Sequence, residues 1–147
     1  MSKRLKISQH LQLSPDRLFI LSDFCKFCIE DLQLFGNVEI SVVSDRSLHG
    51  IETTAYYVPT RGRTCVYGKN RALVDICRSI AHELAHMKQD QEGLLDGPVQ
   101  NVGGFHENQA NALAGEIIKK YALSSSRRKR IYESMLSVYD NRNSLKS

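Results

Sequence analysis

Several absences narrow the field before any motif is read. No apolar run approaches the roughly 20 residues that span a bilayer, so the sequence predicts no transmembrane helix. The opening stretch MSKRLKISQHLQLS is basic, but it lacks the continuous apolar segment of a secretory signal. There is no internal repeat and no linker long enough to separate one domain from another. Together these features predict an intracellular, cytoplasmic protein folded as one domain over residues 1–147. Charge of one sign is also in short supply. The 20 basic and 16 acidic residues leave a net +4, which is compatible with an anionic partner without arguing for one. At 147 residues and 41% apolar content the chain is long enough to bury a core.

Four cysteines are present, Cys25, Cys28, Cys65 and Cys77. Cys25 and Cys28 have C-x-x-C spacing, but there is no second such pair and no histidine nearby. They fall in a helical apolar pattern, so we expect reduced, buried core thiols that behave as small hydrophobes.

What the chain does contain is a helix–strand–helix order. Ser14-Pro15-Asp16 has the cap, first-turn proline and acidic residue of a helix start. Apolar residues from Leu18 to Leu32 recur at helical spacing, which predicts a helix to about Phe35, stopped by Gly36-Asn37. Residues 1–13 could form a short strand or an ordered arm. Alternation and β-branching predict strands at Val38–Val43, Thr53–Val58 and Arg63–Tyr67. The turn at Pro59–Gly62 joins the last two as an antiparallel hairpin. The stretch Ala72–Gln91 has no proline or glycine and reads as a helix. After a glycine-rich reversal a further helix opens at Phe105 or His106 and runs to about Tyr121. A last one spans roughly Arg127–Asn141. The expected class is α+β, with a small antiparallel sheet of about three strands packed against these helices.

The centre of the pattern is His82-Glu83-Leu84-Ala85-His86, an H-E-x-x-H sequence. Residues four apart lie one above the other on a helix. Both imidazoles can therefore face one zinc ion, with Glu83 placed to take a proton from an activated water. Asp75, Ser79, His82, His86 and Asp90 make a polar stripe beside the apolar one, which sets the pair at the border of core and cleft.

Five residues alone do not make a site, so a third ligand must be found. The pattern H-E-x-x-H-x-x-G-x-x-H fails, because Gln89 and Glu92 stand where it needs glycine and histidine. No further histidine follows until His106, and that residue lies about 100° around the helix from its neighbour Glu107. Asp90 and Asp96 are aspartate candidates, Asp90 better suited to a supporting role. Glu107 fits best. It lies on a separate helix and shares a face with Ala110, Asn111 and Ala114, and the two alanines permit close helix approach. Asn111, one turn on, could accept a hydrogen bond from the outer N–H of a ligating histidine.

H-E-x-x-H followed by E-x-x-A-N on a second helix resembles the gluzincins, zinc peptidases whose third ligand is a glutamate. The short length and element order are most similar to the minigluzincins, and ImmA/IrrE-type peptidases carry a similar E-A-N segment. The resemblance covers roughly residues 71–121. It implies one catalytic Zn²⁺ held by His82, His86 and Glu107, Glu83 as general base, Asn111 as the residue behind a ligand, and a peptide or protein substrate. It further implies that the strand Thr53–Val58 is the sheet edge to which a substrate adds. Asn111 stands where several members have aspartate, keeping the hydrogen bond without the charge. Tyr67, His106 and Tyr121 are the candidates for stabilising an oxyanion.

Two other readings come from the same residues. One is a zincin-fold binding or regulatory protein with weak or no turnover. The other is a nucleic-acid partner held by Arg127-Arg128-Lys129-Arg130, a run that opposes the dipole at a helix start and is more often a solvated surface.

Overall fold

A computed structural model describes residues 5–9, 13–45, 54–59, 61–93 and 104–136. The first strand, β1 (Leu5–Gln9), leads into helix α1 (Pro15–Asp31). Ser14 caps that helix by accepting from the Arg17 backbone N–H at 3.2 Å, so one orphan donor of the first turn is satisfied. The helix ends four residues before Phe35. Gln33 turns left-handed at φ 55°, while Gln33 N–H bonds to Glu30 O and Leu34 N–H to Ile29 O. This pair of bonds closes the C-terminus without a glycine. Leu34 and Ile29 are both buried in the core, and seating Leu34 there is what ends the helix early.

Strands β2 (Val38–Val43), β3 (Ala55–Val58) and β4 (Arg63–Tyr67) follow. The class is α+β, as expected, but the sheet is larger than three strands and mixed. Its order is β1-β2-β4-β3. The hairpin β3–β4 is antiparallel, whereas β1–β2 and β2–β4 are parallel. The reason is connectivity. Helix α1 carries the chain back over the sheet before β2 begins, and β4 enters beside β2 only after β3 has been made. Gly62 closes the hairpin at φ 62°, where an added Cβ would run into the Asn37 carbonyl oxygen; only glycine fits. β3 has β4 as its partner and lies at the end of the sheet order.

Alternation sorts the strands into two faces. Val38, Ile40, Val42, Tyr57 and Val66 join the main core with the helices, while Val43, Cys65, Tyr56 and Tyr67 form a small cluster on the other face. Helix α2 (Leu73–Gln91) lies centrally on the core face. It packs against α1, against β3 and β4, and against the two remaining helices, α3 (Phe105–Leu123) and α4 (Ser126–Met135). Leu73, Ile76, Ile80 and Leu84 are fully buried on it, each adding about 1.5–3 kcal/mol of apolar burial. Its far end is pinned as well. Lys88 Nζ donates to Leu32 O at 2.9 Å, and the Gln91 amide exchanges two hydrogen bonds with the Phe35 backbone. Cys25, Cys28, Cys65 and Cys77 are free and buried, and burial is the expectation from sequence for Cys25 and Cys28. Burial pushes the Cys25 thiol up to about 12 and those of Cys28 and Cys77 well above the ordinary range. Among the described residues no helix is long and apolar enough to cross a membrane.

Candidate metal centre

Helix α2 supplies His82, Glu83 and His86, and α3 supplies Glu107 from its first turn. Ala81 and Ala85 on one helix and Ala110 and Ala114 on the other are buried. Small residues there let the two backbones approach closely enough for a glutamate side chain to reach both histidines. A carboxylate at that position is also favoured by the positive end of the α3 dipole.

The carboxylate bridges the imidazoles, one oxygen to each. Glu107 Oε2 lies 2.8 Å from His82 Nε2, and Glu107 Oε1 lies 3.1 Å from His86 Nε2. One donor atom from each of His82, His86 and Glu107 falls within 4.8 Å of the others. Two imidazole nitrogens and one carboxylate oxygen so placed are a donor set that zinc accepts, with a fourth position left for water. The His86 side chain is 3% exposed, His82 16% and Glu107 21%. The cluster is therefore closed behind His86, and solvent reaches it from the His82–Glu107 side.

Electrostatics suit a cation. Burial holds His82 below its ordinary pKa, the nearby charge of Glu107 acting the other way. A neutral ring is the form that can ligate. Burial, and then the charge of Glu107, push Glu83 up to about 8. Two acidic groups thus lie near one another, Glu83 the more buried of the two. An ion between them would relieve both the desolvation and the repulsion.

Around the three candidate ligands, the Asn111 side chain comes within hydrogen-bonding reach of His82. Behind His86 sits a residue that sequence reasoning passed over. Gln89 is 1% exposed, and its Oε1 lies 2.8 Å from His86 Nδ1. Its Nε2 donates to His106 O at 2.9 Å and to Gln109 Oε1 at 2.8 Å. The available signal was its position three residues after His86, on the same helix face.

The other candidates lie elsewhere. Asp90 accepts the Tyr57 hydroxyl at 2.6 Å, tying α2 to β3. Asp96 falls outside the described residues. Tyr67 packs with Val43 and Cys65 on the sheet face turned away from α2. Tyr121 is fully buried and donates its hydroxyl to Asp23 at 2.8 Å. His106 joins the site through its backbone carbonyl, while its ring lies edge-on to Phe105. In the basic run, Arg128 makes a two-pronged ion pair with Asp23 and lies over the rings of Phe27 and Tyr121. Arg127 sits over Phe19. Half of the run thus fastens α4 to α1, which explains cations at a helix start that the dipole disfavours.

Comparison of the chain with known protein families, with curated proteins and with solved structures finds no match.

Proposed function

We propose that the protein is a zinc-dependent peptidase of gluzincin type. The observation that carries this reading is the convergence of His82, His86 and Glu107 within 4.8 Å, from two helices and 21 residues of intervening chain. Zinc, when bound, supplies an activated water and polarises the scissile carbonyl. His82, His86 and Glu107 would hold it. Glu83 lies on the same helix as the two histidines, next to His82 in sequence and near the Glu107 charge. It takes the proton of the attacking water and hands it to the leaving amine. Asn111 keeps the His82 ring in place. Strand β3, last in the sheet among the described residues, would receive an extended peptide by main-chain pairing. Free thiols at Cys25, Cys28, Cys65 and Cys77 suit a reducing, cytoplasmic setting.

A second reading, a zincin-fold binding protein without turnover, is favoured by the engagement of Tyr67 and Tyr121 away from the site. Elemental analysis and a peptide-library digest separate the two. About one zinc per chain, with cleavage lost in Glu83→Ala and zinc retained, supports the peptidase. Zinc without any cleavage by the wild type supports the binding protein. No zinc in the wild type, even after it is added back, overturns both.

A further inference from the structure

We infer that Gln89 is a positioning residue that decides which nitrogen of His86 carries a hydrogen. It thereby turns Nε2 toward the Glu107 carboxylate as the nitrogen left for a cation. The argument begins at the far end of the chain of contacts. The His106 carbonyl can only accept, and it lies 2.9 Å from the Gln89 amide nitrogen. Exchanging Oε1 and Nε2 would set two oxygens against each other there, so the amide has one allowed orientation. In that orientation the second amide hydrogen meets Gln109 Oε1 at 2.8 Å. Gln89 Oε1 then faces His86 Nδ1 at 2.8 Å. An amide oxygen cannot donate, so Nδ1 must hold the hydrogen. The sense of the whole relay is thus set by one backbone carbonyl.

The side chain is also fully sealed, at 1% exposure, and water cannot substitute for any of the three contacts without repacking. Its polar atoms are satisfied from two helices, and its partners on α3 flank Glu107 on either side in sequence. The residue that orients one histidine therefore also fixes the turn that delivers the carboxylate. His82 is served differently, because its partner Asn111 is exposed. Glu107 Oε1, 3.1 Å from His86 Nε2, does not compete for the Nδ1 hydrogen; it can face a second hydrogen on Nε2 or share a cation with it.

The assignment of the Nδ1 hydrogen stands by itself, while its consequence for zinc rests on the proposed function. Imidazole ¹H–¹⁵N spectra of chelator-treated wild type should show His86 with a slowly exchanging Nδ1–H. In Gln89→Leu that signal should lose its protection while the His82 signals stay in place. Zinc affinity, measured by chelator competition, should fall about 10–100-fold. Gln109→Leu leaves Gln89 Oε1 and the His106 carbonyl in place and should retain the signal, so the inference stays testable if the leucine variant at position 89 fails to fold. An unprotonated Nδ1 in the wild type overturns the inference outright. So does a Gln89→Leu protein with the protected signal and zinc affinity both unchanged. A wild type that takes up no zinc refutes the peptidase reading instead, and the Nδ1 signal of that same sample still decides the role of Gln89.

Discussion

Helix α3 carries a polar cluster at each end. Near its C-terminus Tyr121 meets Asp23 and Arg128; at its N-terminus Glu107 meets His82, His86 and, nearby, Glu83. Both clusters join helices distant in sequence, and both perturb ionisable groups. They do so in opposite senses. At the C-terminal end a carboxylate faces a guanidinium. The hydrogen bonds of Arg128 hold Asp23 below its usual range, and burial with Asp23 beside it pushes the Tyr121 hydroxyl up. Every charge there has its complement. At the N-terminal end the Glu107 carboxylate faces a pair of imidazoles, and burial with the charge of Glu107 pushes the nearby Glu83 up to about 8. The first arrangement is complete as it stands and reads as a fastening. The second sets two acidic groups near one another, an arrangement that a bound cation would relieve.

The largest expected effect tests that contrast directly. Glu83→Gln should lower peptide cleavage by roughly 10²–10⁴-fold, with zinc still bound; cleavage at the wild-type rate would remove Glu83 from the chemistry. Next, Glu107→Ala should weaken zinc by more than about 100-fold, beyond the range of an outer-shell partner, when titrated against a chelator. Asp23→Ala should instead leave zinc affinity alone. It should cost about 2–3 kcal/mol in urea unfolding, because Arg128 loses its charged acceptor.

The pH dependence of stability should separate the clusters by sign. Glu83 keeps a proton in the folded chain that the unfolded chain releases between 4.5 and about 8. The stability of chelator-treated protein should fall as pH rises through that window, and Glu83→Gln should flatten the slope. Asp23 acts the other way. Its contribution is present above the ordinary carboxylate range and is lost as pH falls below it. The smallest effect is expected at the exposed end of the basic run, where Arg130→Ala should change stability by less than about 0.5 kcal/mol.

How much of this was legible in the sequence follows from the range of the interactions. His82, Glu83 and His86 lie within two helical turns, so spacing alone places them. Glu107 was reachable because its own helix face, with Ala110 and Ala114, announced a close neighbour. Gln89 was passed over although it stands three residues after His86, because its other two contacts are a backbone carbonyl and an amide 17 and 20 residues further on. No side-chain pattern reveals a carbonyl. Strand order suffered likewise. Leu5 and Ile7 alternate as a strand should, but their parallel pairing with Val38 and Ile40 depends on α1 crossing the sheet between them. The helix α1 stop was misplaced for a local reason, a glutamine adopting the left-handed turn that Gly36 is better suited to make. Tyr121 looked like a reagent and is a fastener, because its acceptor Asp23 lies 98 residues earlier.

The sealed thiols have a use of their own. Cys25, Cys28 and Cys77 lie in the core beneath the helices, while Cys65 lies in the small cluster on the opposite face of the sheet. Protonated and out of reach, they can react with an alkylating reagent only when the structure around them opens. The chain therefore carries a clock on each side of its sheet. Labelling at Cys65 times the loosening of the outer face, and labelling at the other three times the separation of the helical layer. A cation that clamps α2 to α3 should slow the second clock more than the first.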